Sequence, residues 1–281
     1  MTTADPLAWD ATASTIAVAV ASGEVSALEV AEATLARIER VDPAINAFTD
    51  RTFERALRAA RAVDARRAAG EELGPLAGVP FAVKNLFDVE GVTTRAGSAL
   101  NRAHPLARAD AFLVSKLNAA GAALTGALNM GEYAYDFTGE NAHDGVCRNP
   151  VDPAHMAGGS SSGSGAATAA GLAPVSLGSD TNGSIRVPAS FCGIFGLKPT
   201  YGRLGRSGTF PFCDSLDHLG PFARSVRDLA LAYDALQGPD PADHACTTRP
   251  FEPVTPSLDA GIGGLRVAVA GVYSPRMMLR R

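Results

Sequence analysis

An α/β fold, with helices laid on both faces of a sheet, is what this sequence predicts. Helical periodicities alternate along the chain with short apolar runs of strand length, and turn residues separate the two. An alanine-rich first half, with 29 Gly and 18 Pro in 281 residues, suits close-packed helices joined by tight turns.

The elements follow in order. "STIAVAVASG" is apolar and closes at Gly23, a helix stop. "SALEVAEATLARIERVDP" opens on a capping box, Ser26 with Glu29, carries an apolar stripe through Leu28, Val30, Ala31, Leu35 and Ile38, and is expected to stop before Pro43. "DRTFERALRAARAVDARRAAG" predicts a third helix from a cap near Asp50 to Gly70. From Pro75 the texture changes. "LAGVPFAVKNLFDVEG" reads as a buried strand interrupted by a lysine, and "DAFLVSKLNAAGAALTGALNM" as a helix followed by a strand. "GSGAATAAGLAPVSLGSD" repeats that order, "IFGLKPTYGRLG" adds a strand and turn, and "SVRDLALAYDALQG" is an amphipathic helix with Leu229, Leu231 and Leu236 on its apolar side. "GLRVAVAGVY" reads as a further buried strand. The expectation is a single domain over 1–281, with a helical region at 1–74 and a core at 75–281.

Composition excludes several function classes. Apolar residues make up 46%, charged residues 19%, and the net charge is −4, which gives no electrostatic reason to expect nucleic acid or a membrane surface as a partner. The arginine-rich third helix is interspersed with Glu54 and Asp64 and reads as a solvated face. The polar beginning lacks a basic segment followed by an apolar one, and no apolar run reaches the ~18 residues of a membrane span, so a cytoplasmic location is expected. Cys147, Cys192, Cys213 and Cys246 lie far apart with no C-x-x-C pair. They read as reduced thiols, and neither a metal nor a cofactor is expected.

Two serine-bearing stretches carry the chemistry: "GGSSSGSG" at 158–165 and "SDTNGSIR" at 179–186. A flexible linker does not fit, because the first runs directly into a small-residue helix and strand. A phosphate cradle lacks the G-x-x-x-x-G-K-[ST] spacing. "GSSSG" satisfies G-x-S-x-G around Ser161, but the preceding "NPVDPAHMA" is no strand and neither His218 nor His244 is singled out as its base. A serine needs a base to become a nucleophile, and Lys84 is the one charged residue in the run "GVPFAVKN". Burial there would disfavour its charged form and make it a base near neutral pH; taken alone, the residue reads equally as an ordinary surface or edge-strand lysine. The small residues of "DTNGS" offer backbone N–H groups for an oxyanion.

Four segments together resemble the amidase signature family, whose hydrolases use a Ser–cis-Ser–Lys triad: "AGVPFAVKNLFD", "GALNMGEYAY", the long run from Gly158 to Arg203, and "SLDHLGPFARSVRDLA". The likeness covers roughly residues 10 to 270. It implies that family's fold, a mixed central sheet covered by helices, here C-terminally incomplete. It implies Lys84 as base, Ser160 as bridging serine after a cis Gly159–Ser160 peptide, and Ser184, 24 residues on, as nucleophile. It further implies an oxyanion hole from the amides of Thr181, Asn182, Gly183 and Ser184, a brace from Asp180 with Arg186, and substrate contact at Met130. Two positions depart from the common pattern: Asn182-Gly183 stands where most members have Gly-Gly, and Gly131 where many have Asp.

The segments around "DTNGSIRVPASFCG" are most similar to the subgroup that hydrolyses 1-carboxybiuret in cyanuric acid degradation. This implies a small urea-like carboxylated amide as substrate, ammonia as product, a partner in the form of a small helical accessory subunit, and a homo-oligomer at full length. The same signature occurs in glutaminase subunits of tRNA-dependent amidotransferases, the alternative function. Family members continue well past the point matching residue 270, so an unpaired sheet edge, an exposed apolar patch and weak activity are expected of this chain.

Overall fold

The structure, a computed structural model, describes residues 5–266. The expected strand "GLRVAVAGVY" therefore lies largely outside the described residues.

The first helix, α1 (Ala13–Ser22), starts at Thr12, whose hydroxyl accepts the Thr15 N–H, and ends at Gly23 in the left-handed region at φ 81°. The capping box forms as expected at the start of α2 (Ala27–Ile45). That helix does not stop before Pro43. Proline's missing N–H falls in the last turn, where its loss is tolerated, and the helix ends two residues later at Ile45, capped by Asn46 at φ 60°, whose N–H donates to Asp42 O. The buried Asp42 carboxylate then accepts Ala47 N and Phe48 N, turning the chain into β1 (Phe48–Arg51). Asp50 thus sits in a strand rather than at a helix cap, and α3 (Phe53–Ala68) begins after Thr52. The region expected to be wholly helical contributes an edge to the sheet.

The remaining elements are β2 (Pro80–Lys84), α4 (Phe112–Ala119), β3 (Ala123–Leu128), α5 (Ser162–Ala169), β4 (Val175–Asp180), α6 (Arg186–Phe191), β5 (Phe195–Gly196), β6 (His218–Ala223) and α7 (Val226–Leu236). One mixed sheet runs in the order β1-β3-β2-β4-β6-β5. Its centre, β3-β2-β4, is parallel; β1, β6 and β5 pair antiparallel to their neighbours. On α7 the buried side is Asp228, Ala230, Ala232 and Leu236, while Leu229 and Leu231 are half-buried. Ser225 caps the helix by accepting Asp228 N, and the Asp228 carboxylate points at the start of α1, accepting Ala13 N and Ser14 N.

Period-two alternation in β2 divides the core. Phe81 and Val83 pack with Ile16 and Val20 of α1, Leu117 of α4 and Leu236 of α7, whereas Ala82 packs with Ile38 of α2, Ala56 of α3 and Ala166 of α5. Lys84 ends this strand with no exposed surface. The outer strand β5 has two residues, and Phe191 and Phe195 beside it are 49% and 48% exposed. No helix among the described residues is long and apolar enough to cross a membrane.

Candidate active site

Lys84 and the serine loop meet because β2 and β4 are parallel neighbours and α5 packs over them. Close approach requires glycine. A side chain on Gly163 would strike Ala47 O and the Asn129 backbone, and one on Gly178 would strike Ser161 Oγ. The chain before α5 therefore descends onto the sheet, and the Gly159–Ser160 peptide is cis.

Lys84 Nζ lies 2.7 Å from Ser160 Oγ and 2.8 Å from Ser179 Oγ. Burial pulls its pKa from 10.5 down to about 7, against the opposing pull of Asp180, Asp217 and Asp136. A neutral amine near pH 7 is a base in contact with a hydroxyl. Ser160 O in turn accepts Gly131 N at 3.0 Å, which ties the loop to the end of β3.

Ser184 follows β4 on the tight turn 181–185 and is 5% exposed. Asp180 builds that turn. Its Oδ1 accepts Gly183 N at 2.7 Å, its Oδ2 accepts Ile185 N at 3.1 Å, and Arg186 grips both oxygens at 2.9 Å. Burial pushes the Asp180 carboxyl up, but the hydrogen bonds from Arg186, Ile185 and Gly183 outweigh it and hold the group below the ordinary carboxylate range. Of the four amides expected to face an oxyanion, that of Gly183 is committed to Asp180. Among the described residues, the amides of Thr181, Asn182 and Ser184 donate to no protein acceptor. Thr181 Oγ1 donates to Asp217 Oδ1 at 2.5 Å, and Asp217 Oδ2 accepts Phe212 N and Cys213 N. Asp217 thus joins the turn to the wall that carries Phe212.

A cleft of ≈ 380 Å³ opens over Ser184, lined by Thr181, Asn182, Ala134, Asp136 and the aromatic rings of Tyr135, Phe137 and Phe212. Tyr135 and Phe212 pack at 5.8 Å between ring centres. Within 3.5 Å, Ser160 Oγ reaches Lys84 and forms no hydrogen bond to Ser184. Met130 does not line the cleft. Its side chain is 1% exposed in the hydrophobic core, and its carbonyl accepts from Asn141. Ser161, the centre of G-x-S-x-G, is buried with its hydroxyl bonded to the backbone of Ser179, a brace between α5 and β4. Burial raises the Cys147 thiol, and it pushes Cys192 up to about 12, so both are inert as nucleophiles. Ser179, Asp136, Asp217 and Phe212 went unnoticed in the sequence. For Ser179 a signal exists, since it lies five residues before Ser184 at the end of a strand beside Lys84.

The amidase family profile matches residues 29–277. The chain belongs to the amidase signature family. It is 64% identical over 252 residues to the AtzE subunit of 1-carboxybiuret hydrolase from Pseudomonas sp. (strain ADP), covering 90% of this chain and 55% of that protein. It is 48% identical over 250 residues to a subunit of glutamyl-tRNA(Gln) amidotransferase from Anaeromyxobacter sp. (strain K), covering 89% and 51%. The solved structure of a vestigial protein complex, which bears on the evolutionary origins of an s-triazine catabolic enzyme, contains a chain that superimposes with a TM-score of 0.90 at 62% identity. The match covers 91% of this chain and 56% of that one. The chain spans about half the length of the curated relatives it matches.

Proposed function

We propose that this chain carries the acyl-transfer centre of an amidohydrolase that cleaves the C–N bond of a small, urea-like carboxylated amide and releases ammonia. One observation carries the reading: a fully buried lysine with pKa about 7 in contact with Ser160, below a cleft that presents Ser184 and unbonded amides.

Neutral Lys84 takes the proton of Ser160 as Ser160 takes that of Ser184, and Ser184 Oγ bonds to the amide carbon. The Ser160–Ser184 contact, open in the free chain, closes when a carbonyl is seated. The amides of Thr181, Asn182 and Ser184 hold the oxyanion while Asp180 and Arg186 keep the turn in shape. The C–N bond breaks, the nitrogen takes the proton back through Ser160, and ammonia leaves an ester on Ser184. Water then attacks by the same relay, and Ser184 regains its proton as the acid departs.

Substrate class rests on the 64% identity to a 1-carboxybiuret hydrolase subunit, against 48% to an amidotransferase subunit, and on the Asn182 side chain that lines the cleft. The proposed partner is a helical accessory subunit, supported by the protein complex in which the similar s-triazine chain is found. The test is ammonia release from 1-carboxybiuret, biuret, malonamate and glutamine. Carboxylated urea derivatives are expected to be turned over faster than glutamine or long acyl amides. Faster release from glutamine would move the chain to the amidotransferase function.

A further inference from the structure

Asp136 stands in the cleft wall with Ser184; its charge acts on Lys84 from a distance, but it hydrogen-bonds to none of Lys84, Ser160 and Ser184. Its local bonds are unequal. Oδ1 accepts both Thr138 N and Thr138 Oγ1 at 2.6 Å, whereas Oδ2 accepts Gly139 N alone at 2.9 Å. A carboxylate offers about four acceptor positions, two per oxygen, so one remains open on Oδ2. Among the described residues no Lys or Arg pairs with this carboxylate within 4 Å, and none lines the cleft.

The open oxygen has a defined place. A side chain on Gly159 or Gly131 would collide with Asp136 Oδ2, so this oxygen lies directly over the backbone that leads into Ser160. Ser160 is the group that returns a proton to the departing nitrogen in the relay above. Oδ2, bonded to Gly139 N alone, is therefore an anionic acceptor with one position open beside the backbone that leads into Ser160, opposite in character to the amide donors of the 181–184 turn.

We propose that Asp136 is the specificity residue for the leaving group: its Oδ2 accepts an N–H of the scissile amide and so favours primary amides over esters. The ester oxygen has no hydrogen to donate and places lone pairs against the carboxylate. The same charge excludes a substrate carboxylate from this end, so an anionic substrate lies with its carboxylate remote from Asp136. As the nitrogen gains its proton, the contact with an anion strengthens, which makes it more favourable late in C–N cleavage than in the bound amide. This assignment rests on the hydrolytic reading of Ser184.

The experiment compares malonamate with its oxygen counterpart monomethyl malonate, using the chain, Asp136→Ala and Thr138→Val. Asp136→Ala is expected to lower kcat/KM for the amide by about 10- to 100-fold, the range for one hydrogen bond to a charged acceptor, and to leave the ester within about threefold. Thr138→Val removes a loop bond but not the carboxylate, and should leave the amide-to-ester ratio unchanged. Equal losses on both compounds after Asp136→Ala would make the residue a loop staple and overturn the proposal; so would no loss on either. Binding in a Ser184→Ala background separates the two readings. There the amide should bind about tenfold tighter than the ester, a difference that Asp136→Ala erases. If this difference appears and vanishes as stated while the parent chain turns over neither compound, the hydrolytic reading fails and Asp136 is left as an amide-binding residue without a leaving group to select. If the two compounds bind alike, the Asp136 assignment is wrong whatever the turnover.

Discussion

Replacing Lys84 by methionine isolates what burying an amine does to this fold. Burial moves the lysine from 10.5 to about 7. At about 1.4 kcal/mol per pH unit, the charged form is disfavoured inside by about 5 kcal/mol. Below pH 7 both folded and unfolded chains hold the proton, and that cost is carried in full. Between 7 and 10.5 the unfolded chain keeps the proton while the folded chain has lost it, so stability climbs with pH. Above 10.5 the difference is gone. Between about pH 7 and 9 the gain from this one group integrates to about 2 kcal/mol. Methionine fills similar volume and does not titrate. It leaves the Ser160 and Ser179 hydroxyls without a partner, at about 1–3 kcal/mol each, but that offset does not vary with pH. Urea unfolding across this range, wild type against Lys84→Met, reads the difference directly as a change in midpoint at constant slope. The wild-type curve should rise relative to the variant by about 2 kcal/mol. Parallel curves would mean that Lys84 titrates as an ordinary lysine, and the neutral base at pH 7 would be lost with it.

Asp180→Asn breaks the two-point grip of Arg186 and the bond from Gly183 N, so turnover should fall by orders of magnitude together with about 1–3 kcal/mol of stability. Because the Asp180 pKa is lowered in the fold, its contribution is present above the ordinary carboxylate pKa and lost as pH falls through the lowered value; acid unfolding of wild type and variant should converge there. Ser161→Ala should cost about 1–2 kcal/mol in thermal or urea unfolding and leave the nucleophile intact, since its hydroxyl only braces Ser179; loss of turnover without loss of stability would contradict that role. Chelation should leave ammonia release unchanged, because no His, Cys, Asp or Glu cluster among the described residues is fit to hold a metal; loss restored by zinc would overturn this.

The strands β3 and β4 were legible because each follows a helix closed by a glycine turn, at Gly121 and Gly171. The strand β6 was not. Its Gly220-Pro221 pair reads as a turn, yet Pro221 lies opposite Leu177 in β4 and offers its carbonyl to Leu197 N on the other side. The strand β1 was hidden because "FTDR" is short and half-exposed, and tertiary pairing with β3 decides its state. Within the site, Lys84 stood out as a charge in an apolar run, and its burial agrees with that. The roles of Asp136 and Asp217 depend on loops folding back over the cleft, where spacing along the chain carries no information. The competition for the Gly183 amide was equally invisible, since it follows from where the Asp180 side chain turns.

Covalent capture tests the central claim, that Lys84 and Ser160 activate Ser184, most directly. The chain would be treated with a fluorophosphonate, which reacts with an activated serine hydroxyl, and the adduct mapped by peptide mass spectrometry as a function of pH. One adduct on Ser184 is expected, forming faster as pH rises through about 7 and lost in Lys84→Ala and Ser160→Ala, because the hydroxyl reacts only when the buried amine is neutral. An adduct on Ser161, or labelling of Ser184 that persists unchanged in Lys84→Ala, would contradict the account.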